Sequence, residues 1–195
     1  NVVVATGTGS GKTEAFLYPI LLHLYNEFRQ GSLDIKGGVR ALILYPMNAL
    51  VNDQRDRLSS TDNKSPGICS LLQQVNSPFS FTYGQYTGDT PEDENDSYRN
   101  ARNRIAGRYS GELVLRTEMR QTPPNILLTN YSMLEYLLLR PDDCKLFDEG
   151  RAKHWTYLVL DEAHQYRGSK GIEMAMLIRR LKQRLREGDQ TGEFR

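Results

Sequence analysis

Two short strings constrain this chain more than anything else in it: Ala5-Thr6-Gly7-Thr8-Gly9-Ser10-Gly11-Lys12-Thr13, and Leu158-Val159-Leu160-Asp161-Glu162-Ala163-His164. Val2 to Ala5 are apolar and mostly β-branched, which predicts a short strand buried on both faces. A glycine-rich turn follows. After Lys12 the sequence becomes helical, with Ala15, Phe16 and Leu17, then Leu21, Leu22, Leu24, Tyr25 and Phe28. Strand, glycine turn and helix is the setting that a phosphate-binding loop needs. Gly7, Gly9 and Gly11 let the backbone approach a phosphate, with its N–H groups pointing inward. Thr6, Thr8 and Ser10 complete the loop, and the helix start adds positive potential. Lys12 is placed to reach the β- and γ-phosphates of a nucleotide, and the Thr13 hydroxyl to hold magnesium. The strict form of the pattern has glycine where this chain has Thr6.

The second string is a buried strand, Tyr157 to Leu160, that ends on two carboxylates. Asp161 falls at the C-terminal end of that strand, the edge where α/β sheets bind ligands, and can hold magnesium there. Glu162 is placed to orient or deprotonate an attacking water. Either string alone also suits an ordinary solvated turn. Together and in this order they point to ATP with Mg2+.

Between them, strands alternate with helices. Val39 to Tyr45, Ser80 to Tyr86 and Ile126 to Thr129 read as strands. Asn48 to Leu58, a weak segment from Leu71 to Val75, a helix capped by Asn130 or Ser132 and running through Leu139, and Gly171 to Arg186 read as helices. Alternating βα units predict an α/β fold: a mostly parallel sheet with helices on both faces and the functional turns at one edge. Thr90 to Gln121 is highly charged and poor in large apolar side chains, so it predicts an exposed, partly helical and mobile segment. At 195 residues the chain suits one domain, 1–195, and a chain that opens on a core strand reads as a piece of something longer. The net charge of +1 supplies no global basic field, so any nucleic-acid contact must be local. No apolar run is long enough to span a membrane and no leader pattern opens the chain, so a cytoplasmic protein with no membrane partner is expected. Cys69 and Cys144 read as reduced thiols, His23 and His154 as packed or surface histidines, and Trp155 as packing. The arginine-rich stretch Arg179 to Arg186 reads as a solvated helix face.

Three further strand-to-helix turns carry small or hydroxylic residues: Tyr45 to Gln54 (YPMNALVNDQ), Thr87 to Thr90 (TGDT) and Leu128 to Leu134 (LTNYSML). Helix starts of this kind bind phosphate oxygens without reading sequence. With these turns and the two strings, the chain resembles the first RecA-like motor domain of the superfamily 2 DExH/DEAD-box helicases. ATGTGSGKTE resembles motif I of that family, YPMNALVNDQ motif Ia, TGDT motif Ib, TPPNILLTNYSML the next nucleic-acid motif, and LDEAHQY motif II. The wording of TNYSMLEYLLLRP and YPMNALVNDQ is similar to large bacterial DEAD/DEAH helicases, including those of DISARM- and Druantia-type phage-defence systems.

The resemblance implies an ATP-dependent helicase or translocase, with motif I and II residues on Mg-ATP. It implies that Pro46, Asn48, Thr87, Gly88, Thr129 and Asn130 lie along a bound strand, DNA in preference to RNA, and that His164 couples the ATP site to the rest of the motor. The partners it implies are nucleic acid, a second RecA-like domain of the same chain and, for the defence proteins, other subunits of a complex. No motif III, second motor domain or arginine finger follows within these residues, so the fragment alone is expected to be inactive. The alternative within the same fold is a duplex-DNA translocase subunit of a restriction or phage-defence complex. A transporter-type ATPase is disfavoured because no LSGGQ-like string precedes the acidic strand, and a degenerate binding module because Lys12, Thr13, Asp161 and Glu162 are all intact.

Overall fold

The computed structural model of the chain describes residues 2–5, 11–33, 37–62, 64–188 and 194. The apolar β-branched and leucine-rich runs form one sheet, with β1 at Ala41–Tyr45, β2 at Tyr83–Tyr86, β3 at Glu112–Leu113, β4 at Ile126–Asn130 and β5 at Tyr157–Leu160. Their order across the sheet is β3-β2-β4-β1-β5, and every paired neighbour runs parallel. The helices are α1 (Lys12–Arg29), α2 (Asn48–Ser59), α3 (Ile68–Gln74), α4 (Ala101–Ala106), α5 (Arg116–Gln121), α6 (Tyr131–Leu139) and α7 (Ser169–Glu187). This is the parallel α/β sheet that the alternating pattern predicts.

Alternation along β1 shows why both faces need cover. Ala41, Ile43 and Tyr45 pack with Leu17, Ile20 and Leu24 of α1 and Val51 and Leu58 of α2. Leu42 and Leu44 pack on the opposite face with Met133, Leu134 and Leu137 of α6 and Met174, Leu177 and Leu181 of α7. All five β1 residues are buried, as expected for a strand between two helical layers.

α1 is pinned across the sheet by a buried charge. Arg40, fully buried just before β1, donates through Nε to Glu27 at 2.9 Å and through Nη1 to the Gly38 carbonyl at 2.8 Å. His23 meets Tyr157 edge-on at 5.4 Å, at the first residue of β5. The C-terminal half of α1 therefore lies over the strand starts. At about 1.5 Å rise per residue, its first turn reaches the opposite, C-terminal edge.

Two expectations change. Val2–Ala5 forms no strand; Val2 and Val3 are each 90% exposed. β-Branching favours extended backbone, but a strand persists only where a neighbour supplies a ladder. β5 is an edge strand and its residues are half-buried rather than buried. The second change concerns residues 90–121. They supply β3 and α5, and Thr90, Glu112, Val114, Leu115, Arg116 and Met119 are buried. Parallel pairing with β2 and ion pairs to distant residues carry charged side chains inward, an outcome that the low apolar content hid. We propose that the expected mobility belongs to the first part of the segment, where Asp93, Glu94, Asn95, Ser97 and Tyr98 are exposed.

Gly84 of β2 tests the placement of α5. A Cβ there would lie 2.5 Å from Met119 Sδ. Gly84→Ala should cost about 1–3 kcal/mol through overpacking. Gly84→Ala combined with Met119→Ala should cost less than the two single changes added together. Urea unfolding of the four proteins measures the coupling, and strict additivity would show that α5 does not press on β2.

Candidate functional site

The register lines up the strand ends. Tyr86 pairs with Thr129, Thr129 with Leu44, and Leu44 with Leu160. Thr87, Asn130, Tyr45 and Asp161 follow those four residues, so the predicted turns stand side by side at the C-terminal edge of the sheet, where α/β folds bind ligands.

Side-chain hydrogen bonds tie three of the turns together. Asn130 Nδ2 donates to Asn48 Oδ1 at 2.6 Å, and Asn48 Nδ2 donates to Asp89 Oδ2 at 3.0 Å. Asn130 Oδ1 also accepts the Met133 N–H at 2.8 Å, which makes Asn130 rather than Ser132 the cap of α6. Asn48, Pro46 and Asn130 are half-buried, and Gly88 and Asp89 are exposed. An open cleft of about 530 Å³ lies beside them, lined by Pro46, Met47, Asn48 and Asn130 from one side and by Gln165, Tyr166, Lys170 and Glu173 from the other.

Thr87 and Thr129 take a different place from the one expected. Both are fully buried. Thr129 Oγ1 donates to the Tyr86 carbonyl at 2.6 Å, and Thr87 Oγ1 accepts the Asp89 N–H at 3.3 Å. Their hydroxyls are bonded within the edge itself. Thr90 adds a second staple, accepting the Thr87 N–H at 2.8 Å and donating to the Gln85 carbonyl at 2.7 Å.

At the nucleotide end, α1 begins at Lys12 on Gly11, which has φ 79° and no side-chain cap. That left-handed conformation suits glycine, and a helix start without a cap leaves N–H groups for a ligand. Lys12 and Thr13 are half-buried in this first turn. Thr6, Gly7, Thr8, Gly9 and Ser10 lie outside the described residues. Glu14 accepts Arg57 Nη1 at 3.2 Å. The Arg57 charge and the Asp161 charge both act on the buried Tyr45 hydroxyl, which links the start of α1 to the end of β5. Asp161 Oδ1 accepts the Glu162 N–H at 2.8 Å. Glu162 sits at φ 51°, rare for a non-glycine residue, and its Oε2 lies 3.2 Å from Nδ1 of the exposed His164.

Two tyrosines lie at the ends of motif strings, Tyr45 opening YPMNALVNDQ and Tyr166 closing LDEAHQY. The Tyr45 and Tyr166 hydroxyls are buried without a hydrogen-bond partner. Burial, and then the Asp161 charge, raises both: Tyr45 far above the ordinary phenol range and Tyr166 to about 12. Both therefore remain O–H donors across the physiological range, facing the charge of Asp161.

Behind the turns lies a buried ionic cluster. Asp143, fully buried, accepts from the Tyr86 hydroxyl and from Arg120 Nε at 2.7 Å, and Arg120 also pairs with Glu92. Arg116 stands 5.3 Å over the Tyr86 ring, and its Nη2 donates to the Thr87 carbonyl at 2.8 Å. Burial lowers the Arg116 pKa somewhat, but guanidinium starts so high that the charge persists. Arg99 Nε donates to the Gly88 carbonyl at 2.8 Å. Arginines of the 90–121 segment thus hold the carbonyls of the Thr87–Gly88 turn inward. Among the described residues no group of three His, Cys, Asp or Glu could enclose a metal ion, and no helix is long and apolar enough to cross a membrane.

A DEAD/DEAH box helicase family model matches residues 1–192. The chain belongs to the DEAD/DEAH box helicase family. It is 34% identical to Druantia protein DruE of Escherichia coli (strain UMEA 4076-1), over 95% of this chain and 14% of DruE. It is 29% identical to the uncharacterized ATP-dependent helicase MJ1574 of Methanocaldococcus jannaschii, over 93% of this chain and 20% of that protein. The crystal structure of the DUF1998 helicase MrfA aligns with a TM-score of 0.63 at 26% identity, covering 97% of this chain and 23% of MrfA. The chain therefore spans between 14% and 23% of these proteins. Its parallel sheet is the RecA-like fold of helicase motor domains.

The ionic cluster makes a measurable claim. Arg120→Met leaves the Asp143 carboxylate buried beside Tyr86 without its cation and should cost about 3–5 kcal/mol in urea unfolding. Adding Asp143→Leu to that variant should recover part of the loss. A cost under about 1 kcal/mol for Arg120→Met, the range of exposed pairs, would show the pair to be solvated.

Proposed function

We propose that this chain is the ATP-binding motor domain of a nucleic-acid-dependent ATPase that couples hydrolysis to translocation or unwinding, within one RecA-like domain spanning 1–195. One observation carries the reading. The strand register brings Asp161 and Glu162 and the Asn130–Asn48–Asp89 chain to one sheet edge, and the Glu14–Arg57 contact ties the start of α1 to α2 beside it. An ATP site and a strand path on a shared edge are what coupling requires.

The residues fit Mg-ATP. The start of α1 is uncapped, Gly11 has the backbone of a phosphate turn, and Asp161 uses one oxygen locally, on the Glu162 N–H. Thr6 to Gly11 would cradle the phosphates, Lys12 would neutralise their charge, and Thr13 and Asp161 would hold Mg2+. Mg-ATP supplies the scissile phosphoanhydride and the cation that offsets its charge. Glu162 orients the water and accepts its proton. His164, 3.2 Å from that carboxylate, positions it and ties it to the rest of the motor. Along the other turns, Pro46, Asn48, Gly88 and Asn130 meet the backbone of a strand, DNA in preference to RNA, with Thr87 and Thr129 positioning them. A second RecA-like domain of the same chain would close on this edge and complete the site. A second reading is a duplex-DNA translocase acting with other subunits of a restriction or phage-defence complex in the cytoplasm; the 34% identity to a Druantia protein supports the defence setting alone.

Two measurements test this in the complete protein. Glu162→Gln should lower kcat for ATP about 100-fold or more while ATP still binds, and Lys12→Ala should weaken binding itself. Near-normal turnover by Glu162→Gln would sink the assignment. Asn48→Ala with Asn130→Ala should weaken single-strand binding by a similar factor on every sequence, because backbone contacts carry no base code. A loss confined to some sequences would instead mean base recognition.

A further inference from the structure

One helical turn beyond Asn48, α2 borders a second, smaller pocket of about 100 Å³. Asn48, Asn52 and Arg55 stand at i, i+4 and i+7 on one face of α2. Asn48 lines the cleft, whereas Asn52 and Arg55 line the pocket together with Gln85, Glu112 and Arg104 of α4. Four residues of helix span about 6 Å, so the pocket follows the cleft along α2.

The charges of the pocket do not balance. Glu112 accepts from Arg55 Nε, from Arg55 Nη2 at 2.9 Å and from the Tyr109 N–H at 3.0 Å. That carboxylate is committed to Arg55 and to its own turn. Arg104 is half-buried and makes no hydrogen bond or ion pair among the described residues. Burial, and then the nearby Arg55 charge, lowers its pKa, but guanidinium starts high enough to stay charged. The Glu112 and Asp89 charges act on Arg104 without bonding it, and Asp89 already accepts from Asn48 at 3.0 Å. Gln85 Nε2 donates to Asn52 Oδ1 at 2.9 Å, which leaves Asn52 Nδ2 as a further donor at the pocket. Donors without acceptors around a small space suit an anion, and the planar fork of a guanidinium suits phosphate oxygens.

We propose that Arg104, with Asn52 and Arg55, forms a further phosphate site that takes a backbone phosphate of the same strand one step beyond the Asn130–Asn48–Asp89 chain. The proposal rests on the reading of that chain as the strand path. It extends the path away from the ATP site, over α2 and α4, to an arginine that belongs to none of the turns at the sheet edge.

The test uses the complete protein and a poly-dT oligonucleotide, with Kd measured at several salt concentrations. Each phosphate contact on a single strand adds about 0.7 to the slope of log K against log salt. Arg104→Gln should therefore flatten the slope by about 0.7 and weaken binding about threefold to tenfold at the lowest salt. Arg104→Lys keeps the charge and should keep the parent slope. Neither variant should move the melting temperature, because Arg104 bonds nothing in the fold. Parent affinity and slope in Arg104→Gln, as expected if the pocket serves another anion, would overturn the proposal. So would weaker binding at an unchanged slope, a lowered melting temperature, or an Arg104→Lys slope as flat as that of Arg104→Gln. If Asn48→Ala with Asn130→Ala weakens poly-dT binding while Arg104→Gln does not, this pocket fails and the strand path stands. If the parent protein does not bind poly-dT, both fail.

Discussion

The parallel hydrogen-bond ladder from β2 through β4 and β1 to β5 sets the place of the turns that follow its strands. Pairing of Tyr86 with Thr129, Thr129 with Leu44 and Leu44 with Leu160 brings four strand ends level. A slip of one residue in any pair would turn its apolar side chains to the wrong face. Because helices cover both faces, with Ile43 and Tyr45 toward α1 and α2 and Leu42 and Leu44 toward α6 and α7, such a slip would expose core on one side and overfill the other. The packing of two layers therefore fixes the register, and the register brings Asp161 level with Asn130 and Thr87.

Polar groups complete what the ladder begins. Thr129, Thr90 and Arg116 spend their donors on carbonyls of the edge itself. Arg116 and Arg120 come from a segment that carries four acidic and four basic residues between Glu92 and Arg108, so its charge serves the fold as well as the solvent. The result is an edge whose buried carbonyls are mostly satisfied from within. The hydroxyls of Tyr45, Tyr83, Tyr166 and Ser59 are buried without a hydrogen-bond partner, and the Asp161 charge acts on those of Tyr45 and Tyr166.

Local patterns in the sequence carry much of this arrangement. The glycine-rich string before α1 and the acidic pair after β5 are legible because each is a local pattern within ten or so residues. The order of strands and helices follows from periodicity, and the α2 start at Asn48, the β5 limits and the Asn130 cap are readable for the same reason. Val2–Ala5 reads as a strand and is not one, because β-propensity names a residue's preference and not its neighbour; the ladder partner is a tertiary fact.

The sequence by itself determined the family to which the chain belongs, and it supplied the candidates for holding phosphate, metal and water. The tertiary structure alone decided which polar side chains turn inward. Arg55 meets Glu112 and Tyr86 meets Asp143 across 57 residues each, and Asn130 meets Asn48 across 82. Whether a charged or hydroxylic residue is buried depends on a partner that lies far along the chain, and no local pattern encodes that partner. For that reason only the fold shows that the Thr87 and Thr129 hydroxyls are bonded within the edge and that Tyr166 lines the cleft.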